Sequence, residues 1–258
     1  MAGIPRRILV PATNLSAHAS MDEKVVGKME TDEEKAIVSA LLNRDVVFSL
    51  GGLGGQFGGW ALCLVGRCAR ILGDLNVALT TTPFRAEGSV RGQLAADQLA
   101  LLQRKAEGLV MFGNDALLAV APDLPISKAF AAAGTIIARS AACLATVLSR
   151  SDVPPLKRLF ARSKDWRFGM GGGTGKHACF IAVEEAYKSP WFAVKSETVH
   201  GSIVLIRQPE GAAREDEILR EVRLRSPGAE VAWAVLPEPS PEDRVETMIF
   251  AGLGDSNR

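Results

Sequence analysis

Apolar residues fall into two patterns along this chain: short continuous runs, and longer stretches with helical spacing. The runs Val46–Leu50, Leu75–Thr81 and Leu109–Phe112 have no strict polar alternation, as expected of strands covered on both faces. Between them, Trp60–Leu72 and Arg91–Glu107 predict helices, the second with Leu94, Leu99, Leu101 and Leu102 on a stripe. Strands alternating with helices of this length predict right-handed βαβ units and a parallel sheet. Upstream, Ile8-Leu9-Val10 predicts a short strand, and 14–29 reads as irregular or partly helical. Thr31 followed by Glu34 predicts a capping box that opens a helix over Lys35–Leu42.

Downstream, the small-residue-rich stretch 126–148 predicts a long helix buried between two layers. Pro154-Pro155 suit the start of the next helix, over 154–163. A strand at Trp166–Met170, a glycine turn at 171–175, and a helix at 177–188 follow, then a strand at His200–Arg207. A helix at 212–224 and strands at Glu230–Leu236 and Val245–Phe250 finish the chain. Here the chain is expected to return antiparallel, which makes this half α+β.

Composition narrows the function classes. With 47% hydrophobic and 23% charged residues, the 258-residue chain has ample material for a core. A net charge of +1 without a basic block gives no nucleic-acid footprint. Cys63, Cys68, Cys143 and Cys179 form no CxxC pair, and His177 with Cys179 falls short of the three or four ligands of a zinc site. No metal is therefore expected, and unpaired thiols fit a reducing, cytoplasmic setting. Lys128, Arg139 and Arg150 punctuate the alanine-rich stretch, so no membrane segment is expected.

The candidate chemistry lies in glycines. Gly51-Gly52-Leu53-Gly54-Gly55-Gln56-Phe57-Gly58-Gly59 follows a predicted strand and precedes a predicted helix. Backbone N–H groups of such a turn can close on a phosphate beside the positive end of the helix. The same turn also serves simply to pack a helix tightly on a sheet. With Thr82–Gly88 and Gly113–Asp115 it lies at the carboxyl ends of predicted strands, where parallel sheets hold ligands. A second run, Gly171–Lys176, imitates GxxxxGK[ST], but Met170 and His177 stand where Gly and Ser or Thr are required.

Together these stretches resemble the FtsZ/tubulin superfamily, and FtsZ in particular, over roughly 45–254. Pro83-Phe84-Arg85-Ala86-Glu87-Gly88-Ser89-Val90-Arg91 matches the family's PFxxEGxxR segment, and Asn114-Asp115-Ala116-Leu117 its NDxL. Ala129-Phe130-Ala131-Ala132-Ala133-Gly134 matches AFxxAD except at its last position. Gly169–Pro190 follows the family's GIGxAxGxxRAxxAxxxAxxSP stretch, so the imitation P-loop is expected to be a sheet-end turn. The resemblance implies an α/β fold: a Rossmann-like parallel-sheet half, a long central helix, then an α+β C-terminal half. The corresponding parts are a GTPase-type nucleotide-binding domain over 1–125, the central helix over 126–150, and a C-terminal domain over 151–258.

The implied ligand is GTP or GDP. Carried over by position, its contacts are Gly54, Gly55 and Gly58 of the phosphate loop, Glu87 and Arg91 at the ribose and phosphates, and Asn114 and Phe130 at guanine. Against this, Gln56, Phe57 and Trp60 replace a glycine, a threonine and the final glycine of GGGTGTG, and Gly134 replaces the guanine-reading aspartate. No counterpart of the family's first phosphate loop is found. The catalytic NxDxxD loop is reduced to Arg150-Ser151-Asp152-Val153-Pro154-Pro155, with Asp152 as the one catalytic candidate. The expectation is a scaffold or cytoskeletal protein with a degenerate GTP site and little or no hydrolysis. It would associate head to tail with itself or with another FtsZ-family subunit, and would carry no C-terminal adaptor-binding tail. GTP or GDP as cofactor, and none, are equally open, and an active GTPase that forms nucleotide-dependent filaments is the alternative.

Overall fold

The computed structural model describes residues 8–9, 31–150, 153–194, 198–237 and 244–254. The chain forms two compact units, Met1–Glu107 and Gly108–Arg258. Ile8 and Leu9 have no regular structure, in place of the strand expected there, and the segment 14–29 lies outside the described residues.

In the first unit, helix α1 (Asp32–Leu41) begins where the Thr31 hydroxyl accepts a hydrogen bond from the Glu34 N–H at 3.2 Å. The Glu34 carboxylate is buried against Arg67, 2.9 Å away. Strands β1 (Val46–Gly52) and β2 (Leu75–Thr82) pair in parallel, with Val46 opposite Leu75 and Gly52 opposite Thr81. Helix α2 (Gly58–Leu72) makes the crossover between them and stops at Gly73, whose left-handed φ of 75° suits a glycine terminator. Helix α3 (Ser89–Lys105) follows β2. The first six residues of β2 are buried without alternation, as the sequence run required. Ile37, Val38, Leu64 and Cys68 seal α1 against α2, with Trp60 at the edge of the cluster.

The second unit begins with β3 (Gly108–Gly113), a short helix α4 (Asp115–Val120) that the sequence reading did not resolve, and the long α5 (Ile126–Arg150). Helix α6 (Val153–Arg162), β4 (Asp165–Gly173), α7 (Ala178–Tyr187), β5 (Val199–Gln208), α8 (Glu215–Arg225), β6 (Glu230–Pro237) and β7 (Val245–Leu253) complete it. Its strands lie in the order β3-β4-β7-β5-β6. β7 runs antiparallel to β4 and β5, while β3–β4 and β5–β6 are parallel.

Two side-chain layers cover this sheet. Cys179, Val183, Ile218, Leu219 and Val222 of α7 and α8 pack on Val204, Ile206, Val245 and Ile249. On the other face Phe160 stacks on Trp166 at 4.7 Å, and Phe168 lies 5.0 Å from Phe250.

Two expectations change here. Helix α5 is not enclosed: Ala129, Ala133, Ile137, Ser140, Cys143, Leu144 and Val147 form one buried stripe, and Ala131, Thr135, Ala138 and Ala142 are exposed. Small residues permit close packing on one side but do not require a second layer. The helix is long and apolar enough to cross a membrane by composition, yet that buried stripe serves the unit's own core.

The turn expected at 171–175 also begins later, because Gly171, Gly172 and Gly173 extend β4. A Cβ on Gly169, Gly171 or Gly173 would lie 2.1–2.2 Å from the carbonyl oxygens of Ala186, Ala182 and Ala178. Alternate strand positions thus meet every fourth residue of α7, backbone against backbone. The run that imitates a P-loop is a packing seam.

Candidate functional site

In the first unit, the glycine loop leaves β1 and is tied at once to β2, where the Leu53 N–H donates to the Thr81 carbonyl at 2.8 Å. Gly54 then takes φ +83°, and a Cβ there would sit 2.8 Å from the Arg91 carbonyl oxygen. Both its conformation and its proximity to α3 demand glycine. A Cβ on Gly58 would lie 2.5 Å from the Gly52 carbonyl, so the loop folds back on its own strand.

The fold is held by a residue the sequence reading missed. Gln98 of α3 has no exposed surface. Its Oε1 accepts from the Gly54 N–H at 2.8 Å, and its Nε2 donates to the Gly55 carbonyl at 2.8 Å. A signal was present: Gln98 falls three residues after Ala95 and four before Leu102, on the buried stripe of α3. A polar residue on such a stripe must find a partner.

Gln56 and Phe57, which stand where the family has a glycine and a threonine, are both exposed, Phe57 at 47%. Trp60 packs at the α1–α2 cluster. Helix α2 begins without a side-chain cap and without an acidic residue in its first turn, which leaves its positive end unneutralised by its own side chains.

Glu87 and Arg91 meet beside this loop. Glu87 lies in a short 3₁₀ turn (Arg85–Glu87), and its Oε1 accepts from the Phe84 N–H at 2.8 Å. Its Oε2 pairs with Arg91 Nη1 one helical turn on. Glu87 therefore closes the turn and orients Arg91. Gly88, with φ 96°, passes the chain into α3.

In the second unit, Asn114 lies between β3 and α4 and is 5% exposed. Its Oδ1 is buried without a hydrogen-bond partner, although burial of a polar atom normally demands one. An orphaned acceptor at this position fits a ligand N–H. Phe130 on α5 is 45% exposed. A Cβ at Gly134, one turn on, would meet nothing within 4 Å, so neither space nor backbone requires glycine there.

Asp152 lies outside the described residues. His177 is exposed in a 3₁₀ turn, while Cys179 is buried. Burial pushes the Cys179 thiol up to about 11, so it is a poor nucleophile at neutral pH. Among the described residues, no group of three or more His, Cys, Asp and Glu could hold a metal ion.

No protein-family model matches the chain. It is 29% identical over 239 residues to cell division protein FtsZ 1 of Pyrococcus horikoshii, covering 90% of this chain and 64% of that relative. The chain thus spans somewhat less than two thirds of that relative's length. Among solved structures, the empty FtsZ dimer of M. jannaschii superposes with a TM-score of 0.80 at 25% identity, over 84% of this chain and 66% of that one. The GTPγS-bound protofilament of CetZ2 from Haloferax volcanii gives 0.71 at 18% identity, a likeness of fold, over 96% of this chain and 75% of that one.

Proposed function

We propose, from the premise that this chain belongs to the FtsZ/tubulin superfamily, that it is a cytoplasmic cytoskeletal or scaffold subunit with a degenerate GTP site. It associates head to tail with itself or with another FtsZ-family subunit and hydrolyses GTP little or not at all. The observation that carries this reading is the closed glycine loop. Phosphate cradling needs loop N–H groups that face the ligand. Here the Gly54 N–H turns inward to Gln98, and Glu87 is engaged by the Phe84 N–H and by Arg91. A head-to-tail contact generates an open filament unless its rotation closes into a ring. The division into 1–125, the central helix 126–150 and 151–258 is proposed on the same footing.

The guanine nucleotide of the family fits the residues unevenly. In the second unit Asn114, with its orphaned Oδ1, suits a guanine N–H, and in the first the inward-turned Gly54 N–H does not suit a phosphate. Asn114 supports a second reading, an active GTPase that forms nucleotide-dependent filaments. Calorimetric titration with GTP and GDP, combined with electron microscopy and phosphate release, separates the two. Filaments without binding or hydrolysis support the scaffold. Submicromolar GTP binding with turnover overturns it in favour of the GTPase.

A further inference from the structure

We infer that Gln98 is the positioning residue that keeps the glycine loop shut, and that its carboxamide is what excludes the phosphate groups of a nucleotide. The inference rests on the closed-loop reading above and goes beyond it by assigning the closure to one side chain on another element.

A carboxamide offers an acceptor oxygen and a donor nitrogen, and a buried one must use both ends. Gln98 is fully buried and directs both ends at the loop, one to the Gly54 N–H and one to the Gly55 carbonyl, each at 2.8 Å. The two bonds fix the peptide units on either side of the Gly54–Gly55 link, so the loop cannot turn its Gly54 N–H outward without stranding the carboxamide in the core. The loop is shaped to receive it. A Cβ on Gly59 would lie 2.2 Å from Gln98 Oε1 and 2.3 Å from its Cδ, so glycine at 59 and glutamine at 98 are a matched pair. Elsewhere in the loop, Gln56 and Phe57 are exposed to solvent and make none of these inward contacts. What turns the Gly54 N–H away from an anion is therefore the side chain from α3.

The test uses the full chain with Gln98→Ala, and with Gln98→Met, which keeps the volume but makes neither bond. Hydrogen exchange at the Gly54 amide should quicken by about tenfold or more in both variants, the scale of one lost hydrogen bond. Calorimetry with GTP, and separately with inorganic phosphate, should show affinity raised by about tenfold or more in Gln98→Ala. Gly59→Ala should lower the melting temperature in the wild-type background and much less when combined with Gln98→Ala. If Gln98→Ala fails to fold, Gln98→Met carries both measurements.

Unchanged Gly54 exchange in folded variants overturns the latch, whatever the nucleotide does. Faster exchange without any gain in GTP or phosphate affinity overturns the exclusion and leaves the degenerate-site reading standing. Tight GTP binding by the wild type, unchanged in Gln98→Ala, overturns both.

Discussion

Gly171→Ala tests whether the glycine run of β4 is a packing seam. A Cβ at 171 would lie 2.2 Å from the Ala182 carbonyl oxygen and 2.5 Å from the Ala186 nitrogen. Ordinary contact begins at 3.4 Å, so at least about 1.2 Å of clearance (3.4 less 2.2) must be found. Both obstructions are backbone atoms of α7, and no side chain can rotate away. The φ of Gly171 lies outside the left-handed region, so the added cost is steric. Overpacking typically costs 1–3 kcal/mol, and a rigid helix backbone places this case near about 3 kcal/mol. For chains of this size that corresponds to a fall in Tm of roughly 6–12 °C.

The neighbouring Gly172→Ala is the control, because its Cβ would point to the opposite face and meet Arg244 Nη2 at 2.6 Å. That atom ends a flexible, half-exposed side chain that can swing aside, so the change should stay within about 1 kcal/mol. Urea and thermal unfolding followed by circular dichroism would measure both. Equal stability of the two variants would refute the seam, and so would a Gly171→Ala cost below about 0.5 kcal/mol.

Asn114→Ala should leave unliganded stability unchanged or slightly raised, since its Oδ1 already lacks a partner; if any guanine nucleotide binds, it should weaken binding by about 1–3 kcal/mol, and unchanged affinity would reject the assigned role. Gly134→Asp should fold at least as well as the parent, because the site is open and glycine within a helix costs about 1 kcal/mol. It should also raise GTP affinity over ATP, and competition binding that finds no change in that preference would count against the carried-over guanine site. Burial pushes the Cys63, Cys68 and Cys179 thiols up to about 11 and Cys143 up to about 12, against an ordinary value of 9.0. The four thiols should thus resist a thiolate-selective reagent at pH 8 in the native protein and all react in denaturant, and rapid native labelling would contradict their burial. The unfolded chain loses these protons first, so their stabilising effect is complete below about pH 9 and declines as pH rises toward 11–12. Thermal melts across that range should show a falling Tm, reduced in Cys143→Ala relative to its own neutral-pH value; an identical fall in both would exclude Cys143 as a contributor.

The order of strands and helices was legible in the chain because period, capping and glycine placement act over a few residues. Thr31 capped its helix, β2 was buried along its apolar run, and Gly73 ended α2. The motifs Pro83–Arg91 and Asn114–Leu117 likewise identified the superfamily from short windows. What those residues do depended on partners far away in sequence. Gln98 reaches Gly54 across 44 positions, and β4 meets α7 through alternate glycines whose facing no local pattern records. Two glycine runs of similar composition therefore have different partners, one a carboxamide and the other a helix backbone. Glu87 was legible as a motif residue, but its hydrogen bond to the Phe84 N–H appears only once the turn is built. The sequence by itself determined which loops follow which strands. Tertiary structure decided whether their N–H groups face outward or in, because that orientation is set by the buried groups they must satisfy.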